Sequence, residues 1–150
     1  MAQDDVIVML DADGQHDPKD TPKFIALVKK YPAVFGYRDF STLPFRHRIA
    51  NQVMVSFFNL LFGTRFKDLA CGYNCFRRDA VRIMLPDLNR MPDGRFNIEM
   101  QMKYVAWKRN IPYSQCKISC KYDEVSSIGR GVRMVSGIML GTLRLRLYGY

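Results

Sequence analysis

The sequence has no uninterrupted apolar run of about 18 residues, the length a helix needs to cross a bilayer, so no spanning helix is expected. Met1 is followed by Ala2-Gln3-Asp4-Asp5, without a basic or an apolar leader region, so no secretory signal is expected either. Repeats, low-complexity tracts and Gly/Ser linkers are absent, and the chain reads as one continuous unit. Cysteine is scarce, with four in 150 residues. Without an export signal these four imply free thiols in a reducing compartment.

What is present is ordinary globular material. Hydrophobic residues make up 48% and charged residues 25%, and the length suits about one domain with a buried core. The 23 basic and 14 acidic residues leave a net charge of +9, which favours anionic partners such as nucleic acid, lipid head groups or phosphorylated substrates. The charge is unevenly spread. Residues 1–20 hold six aspartates against one lysine, whereas the stretch after Glu124 has four arginines and no acid. A uniformly basic nucleic-acid module would not begin with so acidic a segment.

The spacings Cys71-x3-Cys75 and Cys116-x3-Cys120 raise the question of zinc. Residues 113–122 alternate, however, with Cys116, Ile118, Cys120 and Tyr122 on one side and Gln115, Lys117, Ser119 and Lys121 on the other, the pattern of a half-buried strand. Positions four apart on a strand are about 13 Å apart, too far for two thiolates that must each lie about 2.3 Å from one ion. Buried structural cysteines are the expectation.

Val6 to Leu10 is a continuous apolar run, which predicts a parallel strand covered on both faces. Thr21 as N-cap and Pro22 at the first helical position open a helix carrying Phe24, Leu27, Val28 and Tyr31, which Pro32 stops. Ala33 to Tyr37 reads as a strand and Asp39 to Pro44 as a loop. From Arg46 to Phe62 a helix carries Ile49, Val53, Phe57 and Leu60 on one face with Ala50, Met54, Phe58 and Leu61 beside them. This broad apolar face suits a core or a membrane surface, and core is the expectation. Gly63 is its natural C-cap. A strand around Tyr73–Arg77, helices over about 79–85 and 96–109, the alternating strand, and a last helix over about 132–147 complete an alternation typical of α/β layer folds.

Asp11-Ala12-Asp13-Gly14-Gln15 follows the first strand directly. Two carboxylates at i and i+2 lean to the same side, and Gly14 lets the chain turn away at once. Such a pair suits a divalent-metal half-site, because Mg²⁺ or Mn²⁺ takes one or two protein carboxylates and completes its shell with substrate phosphates and water. Ligands of open α/β sheets also bind beyond the carboxyl ends of the strands. A solvated turn is the other reading of the tripeptide, and Asp17-Pro18 nearby reads as helix-start chemistry.

Asp11-Ala12-Asp13-Gly14-Gln15-His16-Asp17-Pro18, Gly36-Tyr37-Arg38, Arg48-Ile49-Ala50-Asn51 and Asp68-Leu69-Ala70-Cys71-Gly72-Tyr73-Asn74-Cys75-Phe76-Arg77-Arg78 form an ordered set. In order and spacing it resembles the inverting family 2 glycosyltransferases, most closely the polyprenyl-phosphate (dolichol-phosphate) mannosyl- or glucosyltransferase branch. Phe96-Asn97-Ile98-Glu99 and Lys121-Tyr122 look like the same branch, and the likeness spans about residues 4–130. It implies the C-terminal part of a GT-A type, Rossmann-like mixed sheet flanked by helices. Residues 1–130 would then be a partial catalytic domain and residues 131–150 a basic amphipathic helix. It also implies that Asp11, Asp13 and Gln15 hold Mg²⁺ or Mn²⁺ on the diphosphate of a nucleoside-diphosphate sugar. Arg38 and Arg48 match phosphate-contacting positions, a task suited to the forked, permanently charged guanidinium. For Arg48 an ordinary surface arginine is the equal alternative.

The chain departs from the family pattern in three places. Gly72-Tyr73-Asn74 stands where the family commonly has Gly-Phe-Arg, which moves any phosphate contact to Arg77 or Arg78. Asp123-Glu124 replaces a basic residue, with Arg130 and Arg133 the nearest substitutes. A nucleotide-binding half with a Pro-x-Tyr-Asn-Glu-like motif is expected before the metal strand. Without it that strand would be left with an unpaired edge prone to association.

The implied reaction is attack of a polyprenyl phosphate on the anomeric carbon with inversion. Asp13, through the metal, and Glu99 are the catalytic candidates. Glu99 is read either as base for a hydroxyl acceptor or as an N-terminal helix carboxylate favoured by the dipole. Met134–Tyr150 mixes Met, Ile and Leu with Arg144 and Arg146, which suits an anionic membrane surface and equally suits packing onto another part of the protein. The implied location is the cytoplasmic face of a membrane, peripherally bound. The rival classes are a basic nucleic-acid module and a zinc-stabilised interaction domain, both without catalytic activity. The first would bind with steep salt dependence and the second would unfold on chelation.

Overall fold

In the computed structural model, which describes residues 5–40, 45–91, 98–120 and 128–149 apart from the side chains of 46, 47 and 128–134, the apolar runs form one mixed sheet. Its strands are β1 (Val6–Met9), β2 (Ala33–Arg38), β3 (Asn74–Arg77) and β4 (Tyr113–Ile118), in the order β1-β3-β2-β4. β3 is antiparallel to both of its neighbours, and β2 is parallel to β4. β1, β2 and β4 therefore run in one direction. Their carboxyl ends, and the amino end of β3, meet at the same end of the sheet.

The helices are α1 (Thr21–Val28), α2 (Phe45–Phe62), α3 (Arg78–Leu88), α4 (Ile98–Lys108) and α5 (Ile128–Tyr148). The two-residue side-chain period divides the core between the sheet faces. Ala33, Phe35 and Phe76 point into a large cluster with Met54 and Phe58 of α2, Val105 of α4 and Ile138 of α5. Val34, Cys75, Cys116 and Ile118 point the other way, under Phe24 and Val28 of α1. The alternation read over 113–122 is thus seen in β4, where Cys116 and Ile118 are buried and Lys117 is exposed. Lys121 and Tyr122 lie outside the described residues.

Four local expectations need correction. β1 is an edge strand with an antiparallel partner, and Val8 and Met9 are each 38% exposed. An apolar run records that burial is wanted but says nothing of which neighbour provides it. Thr21 is no N-cap: a 3-10 turn at Pro18–Asp20, capped by the Asp17 side chain, runs directly into α1, and the Thr21 hydroxyl is hydrogen-bonded to the Tyr73 hydroxyl at 2.6 Å. α3 continues past Leu85 through Pro86 to Leu88. Its last turn is anchored by buried Asp87, which accepts from Arg109 Nε at 2.5 Å and Lys108 Nζ at 3.5 Å. In α2 Met54 and Phe58 are core, but Ile49, Val53 and Leu60 face outward. α5 spans Ile128–Tyr148, and its Ile138 and Leu145 belong to the main core.

Candidate functional site

The converging strand ends gather a small set of polar groups. Asp11 lies just beyond β1. Behind it the chain turns sharply: Gly14 has φ +77°, and Asp13 Oδ1 accepts from the Gln15 N–H at 3.0 Å. A residue with a Cβ is strained at that φ, which accounts for the glycine. The Asp11 carboxylate rests against Gly72, where a Cβ would overlap it. Glycine is therefore required at 72 for contact rather than for conformation.

The neighbouring segment is equally tight. Gly36 of β2 donates its N–H to the Tyr73 carbonyl at 2.8 Å, and a Cβ on Gly36 would run into that oxygen and lie 3.0 Å from Cys71 Sγ. His16 is buried, with Nε2 3.7 Å from Asp11 Oδ2 and its ring beside Tyr73, and its backbone bridges to Cys120 beyond β4. His16 Nδ1 is buried with no hydrogen-bond partner among the described residues. Asp20, also buried, accepts from the Ser119 N–H at 2.6 Å and so ties the turn after the aspartates to the end of β4.

At the end of β2 the Arg38 guanidinium grips Asp68, Nε to Oδ2 at 2.7 Å and Nη2 to Oδ1 at 3.0 Å. The Asp68 side chain is fully buried and also accepts from the Ala70 N–H. Burial opposes its charge, but the charge and hydrogen bonds of Arg38, the charge of Lys103 and the Ala70 N–H together hold its pKa below the usual carboxylate range. Lys103 of α4 is completely buried, with Nζ 3.4 Å from the carbonyls of Leu69 and Glu99 and set over the Phe35 ring. Its burial lowers its pKa, against the opposing pull of Asp68. This buried Arg38–Asp68–Lys103 group braces the loop that carries Gly72 against Asp11. Asp68 appeared in the sequence only as part of a motif, and Lys103 went unnoticed in α4, one of two lysines in a helix that also carries Glu99 and Gln101.

The other expected residues are scattered. Glu99 is half-buried in the first turn of α4, near Lys103. Arg48 is exposed on α2 over the Phe45 ring. Arg77 pairs in the ladder with Val6 and binds Asp79 at 3.0 Å, so it sits at the opposite end of the sheet, roughly 15 Å of extended strand from Asp11. The side chains of Arg130 and Arg133, and residues 123 and 124, lie outside the described residues. The thiols are free. Burial pushes Cys71 up to about 12 and Cys75 up to about 11, which disfavours the thiolates that zinc requires. Among the described residues no group of three His, Cys, Asp or Glu is gathered to hold a metal.

The family model described as Glycosyl transferase family 2 matches residues 1–85. The chain is 27% identical over 145 residues to the UDP-N-acetylglucosamine--dolichyl-phosphate N-acetylglucosaminyltransferase of Methanococcus voltae, covering 91% of this chain and 55% of that protein. It is 26% identical over 105 residues to the undecaprenyl-phosphate mannosyltransferase of Micrococcus luteus, covering 67% and 42% respectively. The crystal structure of the M. tuberculosis glucosyl-3-phosphoglycerate synthase superposes with a TM-score of 0.60 at 15% identity, over 97% of this chain and 50% of that one. That likeness gives the fold: a four-stranded mixed sheet with helices, forming part of a GT-A type domain. The chain spans between 35% and 57% of the length of the curated relatives it matches.

Proposed function

Because the chain belongs to glycosyl transferase family 2, whose model covers 85 of its 150 residues, we propose that the protein transfers a hexose from a nucleoside-diphosphate sugar to a polyprenyl (dolichyl) phosphate with inversion, dependent on a divalent cation. The observation that carries this reading is the Asp11 carboxylate seated on Gly72 at the sheet end where β1, β2 and β4 terminate together. The acceptor class comes from the names of the relatives, two of which act on polyprenyl phosphates.

The residues present fit Mg²⁺ or Mn²⁺. Asp11, Asp13 and Gln15 offer only hard oxygen donors, and the missing Cβ of Gly72 leaves the Asp11 carboxylate its seat. Asp13 spends Oδ1 on its own turn and keeps Oδ2 for a ligand. Charge growing on the departing diphosphate would be neutralised by the bound ion. Arg38, fixed by Asp68 at the same end of the sheet, is the arginine we assign to the donor phosphates, and Arg77 is not. A phosphate acceptor is already anionic near pH 7 and needs no base, which leaves Glu99 as a first-turn carboxylate favoured by the dipole of α4. The free edge of β1 is where we place a further strand, from a partner or from sequence beyond these 150 residues. The proposed location is the periphery of the cytoplasmic face of a membrane.

The test is incubation of the protein with labelled nucleoside-diphosphate sugars, a polyprenyl phosphate and Mn²⁺. Label is expected in the lipid phase, abolished by chelator and by Asp13→Ala. Transfer that ignores the chelator, or that reaches only water-soluble hydroxyl acceptors, would refute the proposal.

A further inference from the structure

The departure Gly72-Tyr73-Asn74 brings asparagine, not arginine, to the end of the sheet where the aspartates lie. Asn74 opens β3, lies between Met9 of β1 and Phe35 of β2 in the ladder, and is fully buried. Met9 is two residues before Asp11. Asn74 Nδ2 donates to the Cys71 carbonyl at 3.1 Å, and because a carbonyl only accepts, this contact fixes which way the amide faces. Oδ1 is left buried with no hydrogen-bond partner among the described residues. An unpartnered buried oxygen costs the fold at least as much as an ordinary hydrogen bond contributes, so stability does not account for an amide at this position.

The shape of the loop does account for it. A side-chain bond from one residue to the carbonyl three positions earlier closes the backbone over the two residues between them, here Gly72 and Tyr73. On the other side the Tyr73 carbonyl accepts from the Gly36 N–H at 2.8 Å, and Gly36 approaches so closely that a Cβ there would meet the same oxygen. Gly72 is thus held between two buried hydrogen bonds, one on each neighbouring carbonyl, and it is Gly72 on which the Asp11 carboxylate rests.

We infer that Asn74 is a positioning residue for the cation site: its buried amide sets Gly72 against Asp11 and so aims that carboxylate at the ion. This rests on the proposed transferase reading, from which it takes the cation and the diphosphate. Asn74 acts through Gly72 and touches neither.

The test is Mn²⁺ capture by the whole chain, read from the loss of the free-ion paramagnetic resonance signal in the presence of a nucleoside-diphosphate sugar. Asn74→Leu keeps the branched outline of the side chain and loses the donor. It exchanges one unpartnered buried oxygen, Oδ1, for another, the Cys71 carbonyl, so its melting temperature should stay within a few degrees of wild type. Asn74→Ala loses the donor and leaves a cavity, so it should melt lower. Both should weaken capture alike, by about tenfold, the lower end of what losing a residue that orients a metal ligand costs. Once Gly72→Ala has displaced Asp11, adding Asn74→Leu should weaken capture by less than about twofold more. Capture that follows melting temperature, normal in the leucine variant and weak in the alanine one, would overturn the inference and leave Asn74 a packing residue. So would full multiplication of the two losses in the double variant. No capture by the wild-type chain would remove the transferase reading together with this one, whereas wild-type capture matched by Asn74→Leu would remove this one alone.

Discussion

Substituting Gly72 by alanine isolates the contact on which the site is built. The new methyl would overlap all three atoms of the Asp11 carboxylate group, so that carboxylate must shift by more than 1 Å, roughly the gap between an overlap and ordinary van der Waals contact. The fold should tolerate this. The Asp11 side chain is 49% exposed and can rotate away, and a residue with fewer unfolded conformations offsets part of the strain by about 0.4–1 kcal/mol. Function should not tolerate it, because a displaced carboxylate no longer points at the shared ligand. The expectation is divalent-dependent donor binding about 10- to 100-fold weaker, the usual cost of losing a residue that orients a metal ligand, with a melting temperature within a few degrees of wild type. Isothermal titration calorimetry with a nucleoside-diphosphate sugar, with and without Mn²⁺, provides the assay. Gly137→Ala is the matched control: it lies within α5, meets nothing within 4 Å, and should raise stability by about 0.5–1 kcal/mol without touching binding. Wild-type donor affinity in Gly72→Ala would show that the seat of Asp11 is irrelevant and would refute the reasoning.

Asp68→Asn should destabilise the fold by about 3–5 kcal/mol, because it leaves buried Lys103 and partly covered Arg38 without their counter-charge; urea unfolding measures this, and Lys103→Met should cost far less because Asp68 keeps Arg38. The pH dependence follows from the same pair. The folded pKa of Asp68 lies below the unfolded value, so its contribution is present above the unfolded pKa and is lost as pH falls through the folded one. An acid-unfolding series should therefore be shallower in Asp68→Asn. Arg77→Ala, at the opposite end of the sheet, should leave donor binding unchanged and alter stability by less than about 0.5 kcal/mol; a large loss of binding would reinstate Arg77 in the site.

Much of the site was legible in sequence because its geometry is local. An apolar strand running into Asp11-Ala12-Asp13-Gly14 dictates a turn, and the turn is there with its positive φ. The alternation of β4 was legible for the same reason. Long-range facts were not. Arg77 reads as a neighbour of Gly72 because only four residues separate them, yet β3 runs antiparallel and carries it to the far end of the sheet. Arg38 reads as an arginine awaiting phosphate, but its first partner is a buried aspartate 30 residues away. Apolar periodicity in α2 identified a helix, yet it could not distinguish the row facing the core from the row facing outward, since both consist of the same residue types.

The central claim is that the Asp11 and Asp13 carboxylates grip a cation only together with a diphosphate. Mn²⁺ electron paramagnetic resonance measures that directly, through the loss of the free-ion signal as protein is added in the presence of a nucleoside-diphosphate sugar, with the ligand-only signal as baseline. The account predicts loss of signal beyond that baseline with the wild-type chain, little with Asp11→Asn or Asp13→Asn, and little when the sugar donor is left out. An unchanged signal with the wild-type chain, or the same loss with either asparagine variant, would contradict it.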